Sequence, residues 1–313
     1  MSFGRIAIES ASLLDRLSAL LALMAVMVVV VPPMLAEQPG SEDAAGTTVR
    51  PAQGNAPVDA SLAPPAGEWF IGAYGGVPYT YNSDMLFKNG DKTSMIVKDI
   101  AWDGKPFKSP IYYGIRVSRW GHSGRTGAML DFTHGKVYSR REQEVELSGK
   151  RDSKPLPPKA KIKDIFHHFE FTHGHNMLTL NGLYRLPQLG ARLSPYVGAG
   201  FGVSLPHSEV QFKGSRVRTY EYQYTGPAFQ FLIGLEFRIP RLSYFIEYKF
   251  TYAPYEVPLS KRDGSILPID LYHQFRRWWS GKQPEGGWAW TTLISHQVIG
   301  GMGVRIARTP SAP

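Results

Sequence analysis

The residues of this chain best suited to chemistry belong to a five-residue phrase that occurs twice. The first copy, DFTHG, covers residues 131–135, and the second, EFTHG, covers residues 170–174. Each copy supplies one carboxylate and one imidazole, and His175 follows the second copy directly. Such groups, held close together, can ligate a divalent metal, or a carboxylate can orient a histidine for acid–base catalysis. The phrase therefore marks candidate chemistry, provided that the fold brings its two copies together.

The acids and imidazoles of the two copies are the candidate catalytic residues: Asp131, His134, Glu170, His173 and His175. The histidines among them, His134, His173 and His175, are also the candidate ligands of a divalent metal, whose identity the sequence leaves open. A structural interpretation stays open beside this one. In it, the same groups only form hydrogen bonds across strand ends, next to aromatic side chains at a membrane surface.

A period-two alternation of apolar and polar residues begins at residue 68 and predicts strands. Eight segments carry it: 68–77, 110–120, 125–137, 176–186, 194–205, 227–239, 243–253 and 293–307. Their length of about ten residues suits a tilted strand that crosses a membrane. No helical period stands out in this part of the sequence, so the prediction is an all-β fold.

The connections between these segments alternate between long and short along the whole series. Outer-membrane barrels show this alternation because their periplasmic turns are tight and their outward loops are extended. We therefore predict an eight-stranded antiparallel up-and-down transmembrane β-barrel with apolar side chains facing lipid. Periodicity alone would also fit a soluble barrel of the opposite parity. In the predicted topology the third strand ends in one copy of the phrase and the fourth begins at the other, so both copies reach the outer rim.

Several charged residues fall on the parity that this topology turns into the barrel lumen: Arg116, Asp131, Glu236, Arg238, Glu247, Lys249 and Arg305. The lumen of an eight-stranded barrel is narrow and is filled by side chains. An unpaired buried charge is costly, so we expect these residues to form ion pairs that plug the barrel.

The sequence before the predicted barrel has a different character. An apolar run at residues 17–31 is too short to span a bilayer as a helix, so residues 1–36 are interpreted as a signal peptide, with an uncleaved anchor as the alternative. Residues 37–67, rich in Pro, Ala and Gly, are interpreted as a disordered leader. The barrel is then expected at 68–307, with 308–313 as a tail, in the outer membrane of a Gram-negative bacterium.

Composition limits the partners. The chain carries 35 Lys and Arg against 26 Asp and Glu, and no cysteine. The lack of cysteine excludes disulfides and thiolate metal sites, and the net charge of +9 favours an anionic partner. Residues 136–163 concentrate this charge, with nine basic and four acidic side chains. Because the basic residues lie in outward loops and no nucleic-acid motif occurs, the expected partner is lipopolysaccharide, or its lipid A part, rather than nucleic acid. We expect a monomer.

Two further groups of side chains suit binding at the outer leaflet. Basic loop residues are the candidate ligands of lipid headgroups: Arg140, Arg141, Lys150, Arg151, Arg276 and Arg277. Tryptophans of the last long loop are candidate interfacial anchors, or a lid over an acyl or sugar substrate: Trp278, Trp279, Trp288 and Trp290.

The arrangement of residues 68–307 resembles the small eight-stranded OmpA-type outer-membrane barrels. Its last strand, GMGVRI at 301–306, is similar to the terminal signal of such barrels but lacks their C-terminal aromatic residue. The phrases DFTHGKVY and HHFEFTHGHNMLTLNGLYR resemble those of outer-membrane barrels called lipid A oxidases. This resemblance implies O2-dependent oxidation of the proximal glucosamine of lipid A to 2-aminogluconate, with the site residues inside the two phrases.

Two other functions stay open at this point. A non-catalytic OmpA-like barrel would use its loops to bind lipopolysaccharide or other surfaces. A lipid A acyl hydrolase or transferase would need an activated nucleophile; no Ser-His-acid spacing is evident, although spatial triads do not show in sequence.

Overall fold

A computed structural model of the chain describes residues 67–306. The predicted signal segment, all of the predicted leader except Gly67, and the tail lie outside the described residues. The described part forms sixteen strands: β1 (Trp69–Thr80), β2 (Ser83–Asn89), β3 (Thr93–Ile100), β4 (Trp102–Asp103), β5 (Tyr113–Trp120), β6 (Thr126–Ser139), β7 (Glu144–Arg151), β8 (Lys154–Pro155), β9 (Lys159–Lys161), β10 (Phe166–Arg185), β11 (Leu193–Ser204), β12 (His207–Phe212), β13 (Arg218–Tyr222), β14 (Gly226–Ile239), β15 (Leu242–Pro258) and β16 (Trp288–Ile306). Its two helices are α1 (Ile162–Ile165) and α2 (Leu267–Trp279).

Eight of these strands close into an antiparallel barrel. The order around it is β1, β5, β6, β10, β11, β14, β15 and β16, and β16 pairs again with β1. Each of the eight predicted strands overlaps one of these, so the predicted up-and-down barrel is confirmed. Three strands extend furthest past their predicted outer ends, namely β10, β15 and β16, because they continue beyond the barrel.

The barrel is apolar outside and charged inside. On β14, Phe229, Phe231 and Ile233 point outward and are 47%, 47% and 48% exposed, whereas Gln230 and Arg238 point inward and are buried. Water would not stabilise such an exterior, whereas the acyl chains of a bilayer would. Closure also satisfies every strand edge within the barrel, as lipid requires. The chain is therefore a transmembrane β-barrel of the Gram-negative outer membrane.

Ion pairs plug the lumen in two layers. Near the short turns, Arg238 lies 2.7 Å from Glu68 and 3.0 Å from Glu236. Arg185 and Arg305 also contact Glu68, at 3.1 Å and 3.3 Å. All of the charges predicted to face the lumen have an ion-pair partner, as expected, and Glu68 and Arg185 join them without having been predicted.

The second layer lies nearer the outer end. Arg116 donates two hydrogen bonds to the carboxylate of Glu247, at 2.8 Å and 3.0 Å, and Lys249 lies 2.6 Å from Asp131. Removing one partner from such a pair leaves a buried charge uncompensated, which costs several kcal/mol. The two layers seal the lumen, so the fold is not that of a general porin.

A second sheet region, here called the outer extension, stands on the outer end of the barrel. It consists of the short strands β2–β4, β7–β9, β12 and β13, helix α1 and the outer ends of β6, β10, β15 and β16. Its interior is an apolar core: Met85, Phe87, Met95, Val97, Ile100, Trp102, Val137, Val145, Leu147, Ile162, Ile165, Phe166, Phe169, Phe171, Val210, Ala253, Tyr255, Val257, Leu259, Ala289 and Leu293. These segments were expected to be long loops. They are strands because apolar and polar residues alternate in them too, with the apolar residues turned inward.

Helix α2 is the other element that was not predicted from the sequence. Its signals are local: Pro268 in the first turn, Asp270 close behind, and Arg276 and Arg277 in the last turn. Proline suits the first helical position, and acidic and basic residues suit the first and last turns of a helix. Within residues 67–306, neither helix has the length and apolarity needed to cross a membrane.

Candidate functional site

The two copies of the repeated phrase lie on neighbouring strands but not directly opposite each other. Asp131 of the first copy pairs with Thr179, and Glu170 of the second pairs with Tyr138, so the second copy lies further out. Between Phe171 and His175 the register shifts, and Gly174 takes a φ of +141°. A Cβ at Gly174 would lie 2.3 Å from the side chain of Asn176, so this irregularity requires glycine.

Asp131 belongs to the ion-pair layer of the lumen. Its carboxylate accepts hydrogen bonds from Lys249 at 2.6 Å, from Arg116 at 3.2 Å and from Gln230 at 3.2 Å. It is fully buried. The structure thus gives this acid structural partners and places it apart from the other acid of the phrase.

His134 and His175 lie on opposite faces of the sheet. On the outward face, His134 Nδ1 lies 2.8 Å from Asn176 Oδ1, and its ring stacks on Tyr113 with 4.9 Å between centroids. On the inward face, His175 Nδ1 forms a hydrogen bond with the hydroxyl of Tyr255, a residue of the apolar core. Both side chains are buried. The side chain of His173 lies outside the described part of the chain, although its backbone belongs to β10.

Glu170 lies close to two residues, His168 and Glu209, that are not among the predicted site residues. It pairs directly with Glu209 of β12 across the sheet, and His168 Nδ1 lies 3.0 Å from Glu209 Oε1. One ligand atom each from His168, Glu170 and Glu209 lie within 4.8 Å of one another. These three residues are here called the rim cluster. They face outward from the outer extension, because Phe169 and Phe171, which alternate with His168 and Glu170 along β10, point into its core.

The two carboxylates of the rim cluster favour one shared proton or a cation. Burial, followed by the charge of Glu209, raises the pKa of Glu170 to about 7. Burial lowers the pKa of His168 despite the neighbouring Glu209. An imidazole and two carboxylates are a donor set that suits divalent transition metals. Three protein ligands would also leave coordination positions for a substrate, so the residues fit a catalytic metal.

Arg218 supplies a competing partner inside the same cluster. Its guanidinium lies 2.7 Å from Glu209 Oε1 and over the ring of Tyr220, at 4.0 Å from the centroid. One of the two carboxylates is therefore already partly neutralised. A metal would share Glu209 with Arg218 rather than take it alone.

Three lysines lie beside the rim cluster around Tyr138, the residue opposite Glu170. The ammonium groups of Lys105, Lys108 and Lys136 lie 4.3 Å, 5.4 Å and 5.9 Å from the centroid of the Tyr138 ring. Lys136 also donates to the backbone oxygen of Lys108 at 2.8 Å, which fixes the segment before β5 against β6. Of this lysine group, Lys105 and Lys108 are exposed and could bind phosphate, whereas Lys136 is buried. Two of its members come from a segment, 104–109, that carries no sequence signal of its own.

The basic residues predicted to bind headgroups are not gathered in one place. Arg140 forms an ion pair with Asp103 at 2.8 Å, and Arg141 donates to the backbone oxygen of His167 at 2.6 Å. Arg151 lies over the ring of Phe212, at 4.6 Å from its centroid, and Lys150 is exposed on β7. Arg276 is exposed on α2, whereas Arg277 contacts the buried Glu221 at 3.4 Å.

The predicted tryptophans form two sets. Trp278 and Trp279 are exposed on α2, and Trp288 stacks on Trp290 at 6.4 Å between centroids. A cavity of about 250 Å³ lies between α2 and the outer ends of β14 and β15, and its lining includes Arg277, Trp278 and Trp288. The structure thus brings one predicted basic residue and two predicted tryptophans together, away from the rim cluster.

No protein-family profile matches this chain, and no curated protein is similar to it in sequence. Among solved structures, it is similar to Neisserial surface protein A, with 11% identity over 75% of this chain and 96% of that one and a TM-score of 0.33. It is also similar to Ail, the attachment invasion locus protein of Yersinia pestis, in complex with the heparin analogue sucrose octasulfate, with 12% identity, 77% and 99% coverage and a TM-score of 0.29.

A third similar structure is the outer membrane protease OmpT from Escherichia coli. It has 8% identity, covers 78% of this chain and 98% of that one, and gives a TM-score of 0.34. At such scores these likenesses carry no argument about function. The fold assignment rests on the strand order and on the distribution of apolar and charged side chains.

Proposed function

We propose that this barrel acts on lipid A in the outer leaflet and oxidises its proximal glucosamine to 2-aminogluconate at the rim cluster. The observation that carries the proposal is the meeting of His168, Glu170 and Glu209, because Glu170 belongs to the phrase that resembles those of lipid A oxidases. His168 and Glu170 are partly exposed, which supports access for a lipid substrate, whereas Glu209 is buried.

The depth of the cluster suits a sugar at the membrane surface. Tyr113, stacked on His134, belongs to the exposed exterior of the barrel. Tyr138, opposite Glu170, lies four residues beyond His134 on β6. Four strand residues span about 13 Å, less when the strand is tilted. This length carries Glu170 from the edge of the apolar exterior into the headgroup region.

Each neighbouring group has a part in binding. The lysine group would take a phosphate of lipid A, since ammonium groups pair with phosphate oxygens. Arg218 holds Glu209 in place through its 2.7 Å contact. His168, Glu170 and Glu209 would hold a divalent ion, which would supply a path for electrons to dioxygen. Binding of that ion would release the proton that the carboxylates share.

The oxidation balances with dioxygen and water. The open-chain aldehyde at C1 of the glucosamine takes up water, the C1–H bond breaks, and two electrons with two protons reduce dioxygen to hydrogen peroxide. The aldehyde thereby becomes a carboxylic acid and gains one oxygen atom. The substrate must carry a free C1 hydroxyl, because a phosphate at C1 would block ring opening.

The test uses the purified full-length barrel in vesicles that contain lipid A, with air and added divalent metal. Mass spectrometry should detect lipid A with one additional oxygen atom, and the product should fall at least about tenfold for Glu170→Gln and for Glu209→Gln. Glu144→Gln, an exposed acid elsewhere on the outer extension, is the matched control and should retain full activity. Undiminished product from Glu170→Gln would refute the assignment of the site.

A second function is favoured by the Arg218 contact. An arginine on Glu209 gives this acid a structural partner and would suit a non-catalytic barrel that binds lipopolysaccharide through the lysine group. In that case Lys105→Ala with Lys108→Ala would weaken binding to lipid A vesicles. Cells that lack the protein would then have unchanged lipid A.

A further inference from the structure

Helix α2 turns its apolar side chains outward. Ile269, Tyr272, Phe275 and Trp279 are 48%, 60%, 56% and 83% exposed. With 3.6 residues per turn, these four lie on one face of the helix. A helix on the surface of a water-soluble protein has the opposite arrangement, with its apolar face against the core. The exposed face of α2 therefore requires an apolar neighbour.

The polar face of α2 attaches the helix to the protein. Asp270, which is buried, accepts a hydrogen bond from the backbone N–H of Tyr222 at 3.1 Å. Gln274 accepts from the backbone N–H of Tyr224 and donates to its backbone oxygen, both at 2.8 Å. Arg277 reaches the buried Glu221. These contacts fix the rotation of the helix, so its apolar face cannot turn inward without breaking them.

The attachment places α2 at the outer end of the lipid-facing surface. Tyr224 precedes Gly226, the first residue of β14, by two positions, and Trp278 packs near the Tyr224 ring at 6.4 Å between centroids. Further along β14, Phe229 and Phe231 belong to the exposed apolar exterior. Helix α2 is therefore attached at the outer end of a strand whose exposed apolar side chains face lipid.

We propose that α2 is an interfacial helix that lies in the outer leaflet, with Tyr272, Phe275 and Trp279 among the acyl chains. Arg276 is exposed on the same side of the helix, and its long side chain would extend towards the phosphates of the headgroups. A helix with an aromatic apolar face and a basic edge binds in the plane of a membrane surface. This inference is independent of the proposed oxidation.

The chain contains no cysteine, so single cysteines can be introduced and labelled without background. Tyr272→Cys, Phe275→Cys and Trp279→Cys would each carry a nitroxide spin label in the full-length barrel, reconstituted into vesicles of phosphatidylglycerol and lipid A. Phe231→Cys is the lipid-facing control, and Ser148→Cys, exposed on β7, is the water-facing control. Collision rates with dioxygen, which concentrates in lipid, and with a water-soluble nickel complex report the surroundings of each label.

The proposal requires that the three α2 labels collide with dioxygen in preference to nickel, as the label at Phe231→Cys does. Nickel collisions as frequent as at Ser148→Cys would overturn it, because the face would then lie in water. Protection from both reagents would also overturn it, since the face would then be covered by a second copy or another protein. Heat-modifiable migration in electrophoresis would verify that each labelled barrel is folded.

Discussion

The barrel and the outer extension use the same alternation of side chains in opposite ways. Strand β15 runs through both. Its inward residues are Glu247, Lys249 and Thr251 in the barrel, and then Ala253, Tyr255 and Val257 in the outer extension. Its outward residues change in the reverse sense, from Tyr248 and Tyr252 to Glu256.

This change marks the level at which the surroundings of the protein pass from lipid to water. Below it, apolar side chains are stable outside and the lumen takes paired charges. Above it, the hydrophobic effect requires an apolar interior. The comparison teaches that a period-two pattern defines two faces but does not say which is inside. Whether lipid or water surrounds the protein decides which face is inside. A single strand can show the lipid arrangement in one part and the water arrangement in another.

The largest expected effect comes from breaking the plug. Arg238→Ala removes the cation between Glu68 and Glu236 and leaves both carboxylates buried, which should cost about 3–5 kcal/mol of barrel stability. Urea unfolding in detergent micelles would measure the loss. Arg241→Ala, at an exposed turn nearby, is the control and should change stability by less than about 0.5 kcal/mol. Equal stability of the two variants would contradict the charged interior.

A pair of identical substitutions compares the two regions directly. Phe87 is buried in the outer extension against the rings of Phe166, Phe169 and Phe212, so Phe87→Ala should cost about 3–5 kcal/mol there. Phe231→Ala in the barrel should cost about 1 kcal/mol or less, because acyl chains fill the space in place of a cavity. Hydrogen exchange of β2 and β14 amides would report each region separately. Similar losses at both positions would mean that Phe231 is packed within protein.

An arginine introduced on the exterior of each region also compares the barrel with the outer extension. Phe231→Arg should destabilise the barrel by about 2–4 kcal/mol, because the charge enters the bilayer. Ser148→Arg, on the exposed face of β7, should be neutral within about 0.5 kcal/mol, because that face is in water. The fraction of each variant that refolds into vesicles, compared with the fraction left unfolded in solution, would give both changes in folding free energy. A neutral Phe231→Arg would argue against a lipid-facing exterior.

The smallest effect is a pH dependence confined to the outer extension. Burial raises the pKa of Glu170 from 4.5 to about 7, so the folded state keeps a proton that the unfolded state loses. Compared with Glu170→Gln, the wild-type extension should therefore lose stability as pH rises from 4.5 to 7, and the difference should stay constant above that range. The lowered pKa of His168 acts in the opposite direction in both proteins, so the difference between them isolates Glu170. Hydrogen exchange of β10 and β12 amides at several pH values would follow it, and Glu144→Gln should behave as the wild type.

The barrel could be predicted from sequence because each of its strands carries its own alternation and loop lengths give the orientation. The predicted strands stop at residues 253 and 293, close to where the polar and apolar parities exchange roles in β15 and β16. If the apolar residues of a strand are assumed to lie on one face along its whole length, the predicted strand ends at this exchange. The outer extension was missed for this reason, and its segments were interpreted as loops.

The candidate site could be predicted only in part. Glu170 stands in a repeated phrase, whereas Glu209 lies in a segment interpreted as a loop and carries no motif. Their meeting depends on the β10–β12 register and on the irregularity at Gly174, neither of which follows from spacing. Simple alternation along each strand turns Asp131 and His134, and likewise Glu170 and His175, to opposite faces of the sheet. Helix α2 has sequence signals only at its two ends, and its apolar face is exposed rather than buried. It could be predicted only by combining the signals at both ends with knowledge of what surrounds the helix.

The most direct test of the central claim is the lipid A of living cells. Lipid A from cells with the gene, without it, and with the gene restored as Glu170→Gln would be compared by mass spectrometry. The proposed function predicts a species with one additional oxygen atom in the first strain alone. Identical lipid A in all three strains would contradict it, and would leave the protein a membrane barrel with a binding surface rather than an enzyme.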